Sequence, residues 1–311
     1  MSETTGLVIA TRKSKLALWQ AEHVAMLLRR AHPHLSVQLL PMTTKGDRIL
    51  DRSLAAIGGK GLFIKELESA LEEGRAHLAV HSMKDVPAEM PPGLMLCAML
   101  PRADPRDALV APGAKSLADL PQGARLGTSS LRRAAQLKAA RPDLDVRPLR
   151  GNVETRLKRL DDGELDAIVL AAAGLKRLGL EARIDALLDP AVSLPAVGQG
   201  VIGIECRSDD RAARDVLQAL DDAPANAAVS AERAFAHRLG GSCQSPIAAF
   251  AEIDAAGRLT LQGLVAEPDG SRLIRDTITG AASEAAALGR ELAERVLAAG
   301  AGELLERLAG G

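Results

Sequence analysis

The chain has 311 residues, with 39 Lys+Arg against 40 Asp+Glu for a net charge of −1, and it is 25% charged and 47% apolar. Such a length serves two or three domains with cores of their own, and the balance excludes a disordered chain or one basic enough to coat nucleic acid. The four aromatic residues, Trp19, Phe63, Phe235 and Phe250, offer little for base-stacking platforms.

In chain order, residues 6–10 read as a strand, and Ser14 stands ready to N-cap a helix with Ala17, Leu18, Ala21, Val24, Ala25 and Leu28 on one face. A second strand is expected at 37–43. The glycine-punctuated stretch 45–61 reads as a long mobile loop, and a helix is expected over 63–71. A strand at 78–80 empties into His81-Ser82-Met83-Lys84-Asp85. Proline and charge at 101–107 mark a boundary. Beyond it come a strand at 124–127, the turn Thr128-Ser129-Ser130 capping a helix to Ala140, a strand at 145–149, a helix from Asn152 and a buried strand at 167–171. This alternation predicts parallel sheets with ligands at strand C-termini. A second crossover is expected at 194–200. From about residue 222 the pattern becomes a helix, antiparallel strands at 247–253, 259–266 and 273–278, and an Ala/Leu/Glu helix from Ser283. We expect three domains: 1–100 with 201–218, 106–194, and 222–311. No internal sequence repeat is visible.

Cys97, Cys206 and Cys243 form no C-x-x-C pair and leave one over in any pairing. Neither a disulfide framework nor a structural zinc site is expected, and a reducing compartment fits. Cys97 and Cys206, inside apolar runs, read as inert buried thiols. The N-terminus lacks a basic region followed by a sufficient apolar run, and no apolar stretch reaches the roughly 18 residues of a membrane span. A cytoplasmic protein is expected.

The basic residues are lopsided, 29 Arg to 10 Lys. Residues 125–159 hold eight Arg and two Lys against Asp143, Asp145 and Glu154, a local +7. Either this is a solvated basic face or it meets something anionic. Arg132 and Arg133 follow the Thr128-Ser129-Ser130 turn, and Arg150 precedes Gly151-Asn152, both at helix starts where free backbone N–H groups favour anions. Arg12-Lys13-Ser14 repeats that placement, although Ser14 caps its helix in either case. Asp85, among His81 and Lys84, is either a reactive carboxylate at a strand end or an Asp in a surface turn. Two glycines and a proline around Cys243 present its thiol on a turn. There is no P-loop, no G-x-G-x-x-G after the first strand and no H-E-x-x-H or acidic metal cluster, so chemistry without metal or nucleotide is expected.

Nine ordered segments, ATRKSKLALWQ (10–20), TTKGDRI (43–49), GGKGLFIKELE (58–68), AVHSMKDVP (79–87), LPRADPRDALV (100–110), GTSSLRRAAQL (127–137), RGNVETRLKRL (150–160), LPAVGQG (194–200) and GGSCQSPIA (240–248), together resemble the porphobilinogen deaminase (hydroxymethylbilane synthase) family over essentially the whole chain. Lys15 departs from the smaller residue or proline of the family pattern, without touching Arg12 or Ser14.

The resemblance implies an α/β fold of three domains, the first two like type II periplasmic-binding-protein units joined by two crossovers and the third small and α+β. It implies a transferase that joins four porphobilinogens head to tail with loss of ammonia, giving linear hydroxymethylbilane for tetrapyrrole (haem) biosynthesis. A dipyrromethane cofactor, held by a thioether to Cys243, would be its primer. Asp85 would hold pyrrole N–H groups and stabilise the cation left when ammonia departs. Arg12, Ser14, Lys84, Thr128, Ser129, Arg132, Arg133, Arg150 and Arg156 would hold the carboxylates of cofactor and growing polypyrrole, with Arg177 a weaker candidate. Phe63 would either pack on a pyrrole or serve the core. The expected partners are porphobilinogen and the polypyrrole, with no nucleic acid or membrane and a monomeric chain. The rival reading is a cytoplasmic small-anion binding protein of solute-binding type.

Overall fold

The computed structural model describes residues 6–48, 64–241 and 245–310. In chain order the elements are β1 (Gly6–Arg12), α1 (Lys15–Ala31), β2 (Ser36–Met42), α2 (Lys45–Arg48), α3 (Lys65–Glu72), β3 (Leu78–Ser82), β4 (Leu94–Met99), β5 (Asp107–Val110), β6 (Arg125–Gly127), α4 (Leu131–Ala140), β7 (Asp145–Arg147), α5 (Val153–Asp161), β8 (Ala167–Ala171), α6 (Ala172–Arg177), β9 (Ala186–Leu187) and β10 (Ile202–Arg207). There follow α7 (Arg211–Leu217), α8 (Ala223–Arg238), β11 (Ile247–Ile253), β12 (Arg258–Ala266), β13 (Leu273–Ala281), α9 (Ala285–Val296) and α10 (Gly302–Gly310). Contacts divide the chain into two compact units, Met1–Ala103 with Val201–Asn226, and Asp104–Gly200 with Ala227–Gly311.

Three of the helices around the site start at side-chain caps. The Ser14 hydroxyl accepts from Ala17 N, Ser130 from Arg133 N and Asn152 from Thr155 N, each occupying one N–H that the first turn leaves unpaired. Gly300, at φ 100°, takes a conformation few other residues adopt and breaks α9 from α10.

The first unit holds a five-stranded sheet in the order β2-β1-β3-β10-β4. β2, β1 and β3 run parallel, and β10 is antiparallel to both its neighbours. One face is covered by α1 and α7, whose Val24, Leu28 and Leu217 pack on Ile9, Leu78 and Ile204. On the other face Leu67 and Leu71 of α3 meet Ala10 and Ala79.

In the second unit the sheet β7-β6-β8-β5-β9 repeats that plan, three parallel strands followed by a reversed fourth. Leu137 of α4 packs on one face and Leu157 and Leu160 of α5 on the other. The reversed strand is in each case the one entered from the other sheet: β5 after the outgoing connection, β10 after the returning one. Two such α/β sheets joined by two crossovers are the type II periplasmic-binding-protein arrangement. A third, antiparallel sheet, β11-β12-β13, packs against Phe235 of α8 and Leu288 and Leu292 of α9, the small α+β part.

One expectation is corrected. Cys97 and Cys206 are not separate thiols but a disulfide closing 109 residues of sequence. The strands that carry them are neighbours, and a register shift between Ile204 and Glu205 leaves Cys97 as the extra residue on β4, between the Ile204–Ala98 and Glu205–Leu96 pairs. Spacing along the chain does not reveal this, because β10 is inserted next to β4 only after the second sheet has been made. Among the described residues, no helix is long and apolar enough to cross a membrane.

Candidate active site

In the first unit the site is built at the C-terminal ends of β1 and β3. After Ser82 the chain tightens into a 3-10 turn, Met83–Asp85, closed by Val86 N donating to Met83 O at 3.1 Å. Met83 is buried and fills the space above Gly203, where a Cβ would collide with its sulfur. The turn is thereby fixed, with Lys84 and Asp85 half-buried. Arg12 ends β1 and Ser14 caps α1. Arg12, Ser14, Gln20, His81, Ser82 and Asp85 line one cavity of about 50 Å³. Among the described residues the Asp85 side chain makes no hydrogen bond or ion pair, so its carboxylate keeps its acceptor sites for a ligand. Gln20 Nε2 donates to Ser82 Oγ at 2.8 Å. His81 Nε2 lies 2.7 Å from Glu205 Oε2, with both side chains buried.

The second unit holds the other candidates around the starts of α4 and α5. Thr128 is buried, and its hydroxyl accepts from Ser130 N at 3.2 Å. The Ser129 hydroxyl donates to Leu149 O and accepts from Leu149 N, both at 3.0 Å, pinning the residue before Arg150. Arg132 and Arg133 are buried and converge on Asp107, at 2.8 and 2.7 Å. Arg132 also donates to Leu194 O at 2.6 Å and Arg133 to Val169 O at 3.0 Å. Ser193 Oγ and Gln199 Nε2 donate to the same carboxylate at 2.7 and 2.9 Å. Burial alone would raise the Asp107 carboxyl, but the two guanidinium charges and their hydrogen bonds outweigh it and hold it well below the usual carboxylate range. Arg132 Nε is buried and without a partner among the described residues. Arg150 is half-buried, and Arg156 Nε donates to Gly151 O at 2.8 Å. Arg177 donates to Gly200 O at 2.7 Å, and burial lowers its pKa to about 10.

The +7 stretch is largely answered from within. Arg125 pairs with Asp166, Arg141 with Asp143, Arg147 with Asp145, Lys158 with Asp162 and Arg159 with Glu164. Several of these carboxylates lie outside the counted window, which is why local charge overstates what is left for a ligand. Cys243 and Phe63 lie outside the described residues, as does 49–63, most of the stretch expected as a mobile loop. Two features escaped the sequence reading. Asp107 sits in a stretch that reads as a boundary, and Glu205 is 124 residues from the His81 it touches. The single available signal was an Asp and a Glu opening or lying within otherwise apolar runs, DALV and VIGIEC.

Residues 7–215 match the family model "Porphobilinogen deaminase, dipyromethane cofactor binding domain", and residues 226–298 match "Porphobilinogen deaminase, C-terminal domain". The porphobilinogen deaminase of Syntrophotalea carbinolica is 56% identical over 305 residues, 98% of this chain and 96% of that one. This chain belongs to the porphobilinogen deaminase family. The family's enzyme from Chromobacterium violaceum is likewise 56% identical, over 96% of each chain. Solved structures match more loosely. A periplasmic aliphatic sulphonate binding protein from Escherichia coli is 13% identical, with a TM-score of 0.41, covering 75% of this chain and 70% of that one, a likeness too loose to bear on function.

Membership makes the chain a hydroxymethylbilane synthase, a transferase of tetrapyrrole biosynthesis that condenses four porphobilinogens with release of ammonia and uses a dipyrromethane cofactor. The small-anion binding reading is not favoured. The residues described suit such a cofactor: each pyrrole brings two carboxylates, which match a guanidinium, a hydroxyl and the N-terminal end of a 17-residue helix at Arg12 and Ser14. A carboxylate acceptor at Asp85 matches pyrrole N–H.

Proposed function

We propose that Asp85 is the catalytic carboxylate and that the cofactor is bound covalently to Cys243. Arg12, Ser14, Lys84, Thr128, Ser129, Arg132, Arg133, Arg150 and Arg156 hold the acids of cofactor and substrate. The observation that carries this reading is the cavity that Asp85 shares with Arg12 and Ser14, its carboxylate making no side-chain bond of its own among the described residues. When bound, the cofactor supplies the primer on which the chain is extended. Asp85 accepts the pyrrole N–H of the incoming unit and stabilises positive charge as the C–N bond to ammonia breaks. Arg12 and Ser14 fix a side-chain carboxylate at the start of α1, orienting the ring and neutralising its acid. In the second unit the Asp107 cluster leaves the Arg132 Nε–H for an outside acceptor. Forked donors suit this task better than lysine, since every added pyrrole brings two further carboxylates that must be oriented as well as neutralised.

Three domains follow the three sheets, at 1–100 with 201–218, 106–194 and 222–311. The enzyme is monomeric and cytoplasmic in this reading, and the near-zero net charge fits having neither nucleic acid nor membrane as partner. Intact-mass measurement tests the assignment. Protein prepared with porphobilinogen carries the mass of a dipyrromethane, Cys243→Ser is folded without it, and Asp85→Ala keeps it but does not turn over. A wild-type chain without added mass, or an active Asp85→Ala, refutes the respective role.

A further inference from the structure

Joining one pyrrole to the next breaks a C–N bond in the aminomethyl group and a C–H bond on the acceptor carbon, and forms one C–C bond. The hydrogen lost by carbon is the hydrogen the amine nitrogen must gain to leave as NH₃. A proton therefore has to be taken up beside the reacting carbon in every cycle, and the nitrogen has to carry its third hydrogen when it leaves. Resting on the reading above, we propose that His81, held by Glu205, is the proton carrier of the Asp85 cavity.

His81 lines that cavity with Asp85, four residues away on the same strand-to-turn segment. Its Nε2 is 2.7 Å from Glu205 Oε2, and the two side chains are 3% and 0% exposed. The pairing follows from the sheet: His81 faces Gly203 and Ala79 faces Glu205 on the antiparallel strands β3 and β10, so both side chains leave the same face. Gly203 has no side chain to separate them. With Glu205 ionised, Nε2 carries hydrogen and donates, which leaves Nδ1 to take up and return a proton. A base oriented by a buried carboxylate behind it is the arrangement proton transfer requires.

Glu205 keeps its other oxygen, Oε1, buried and unpartnered among the described residues. A core built only for stability gains nothing from such a pair, since apolar residues of similar volume fill the space as well. Among the described residues, the charged groups around His81 are Glu205 from β10, Glu68 from α3, Arg12 from β1, and Lys84 and Asp85 from the turn. Burial, then the neighbouring Glu205 charge, pushes the Glu68 carboxyl above its ordinary value, with His81 acting in the opposite direction.

The test uses the full chain with cofactor attached. In His81→Gln, kcat falls about 100-fold with KM within about threefold, and the acidic limb of the kcat–pH profile disappears. In Glu205→Gln, kcat falls about tenfold and that limb moves to lower pH by about one unit, because a charge that favoured the protonated imidazole is gone. Nitrogen-15 NMR of the wild-type ring supplies a readout independent of turnover: the His81 signal moves between pH 5 and 8, and moves at lower pH in Glu205→Gln. A ring that does not titrate there, a His81→Gln enzyme with wild-type kcat, or a loss of kcat with the acidic limb intact overturns the carrier role. If His81→Gln is fully active while Asp85→Ala is dead, only this inference fails. If wild-type protein lacks the added mass, the underlying assignment fails first.

Discussion

At the scale of single residues, Asp107 decides more than any of the arginines around it. Its carboxylate is fully buried and accepts from Arg132, Arg133, Ser193 and Gln199. Asp107→Asn leaves two buried guanidinium groups without their counter-charge, and we expect a loss of about 3–5 kcal/mol in urea unfolding. Arg147→Ala, which removes a half-exposed pair with Asp145, should change stability by less than about 1 kcal/mol. The pH dependence has a definite sign. Because the folded carboxyl titrates below its unfolded value, the stabilisation is complete above about pH 4 and is lost as pH falls through the folded value. Urea midpoints measured from pH 7 to pH 2 should fall only on the acid side, and equal midpoints at pH 5 and pH 2.5 would remove Asp107 as an acid-labile support. The arginines were legible as a group because their side chains announce anions wherever they cluster. Which anion was not legible: Asp107 lies 25 residues before Arg132, and only the sheet brings the two together.

The elements themselves were read best where local chemistry sets their limits. The helix after Ser14, the strand at 167–171 and the helices after Ser130 and Asn152 begin where caps and apolar periodicity put them. β4, β5, β9 and β10 were not seen. β4 is an unbroken apolar run without alternation, β5 follows a charged, proline-rich stretch, and β9 has two residues. Their strand character comes from neighbours supplied by distant sequence. β10 has a further task at this scale, because Gly203 leaves room for Met83 and so sets the height of the turn that bears Lys84 and Asp85. Gly203→Ala displaces Met83, and we expect a cost of about 1–3 kcal/mol together with a lower kcat and unchanged cofactor mass. Wild-type kcat in a merely less stable variant would confine the effect to packing.

For the molecule as a whole, two sheets with the same strand plan arise from sequences that show no repeat, since strand order is a property of connections and of which face is apolar. The Cys97–Cys206 bridge closes 109 residues. In the chain-entropy view a loop of that length stabilises the oxidised form by roughly 5 kcal/mol. Oxidised protein should therefore melt above protein kept in dithiothreitol, with a mass difference of two hydrogens; identical melting would assign the bridge no energetic role. The insertion of β10 between β3 and β4 also sets a timetable. Among the described residues β4 has no sheet partner except β10. At about 5–20 residues per second, a ribosome needs on the order of 5–20 s to travel from one strand to the other. For that interval the nascent first sheet stands open at its middle, exposing two unpaired strand edges while the second sheet is being translated. A newly made chain thus passes through a window in which it is most exposed to misassociation, and the return of residue 207 to the first sheet ends it.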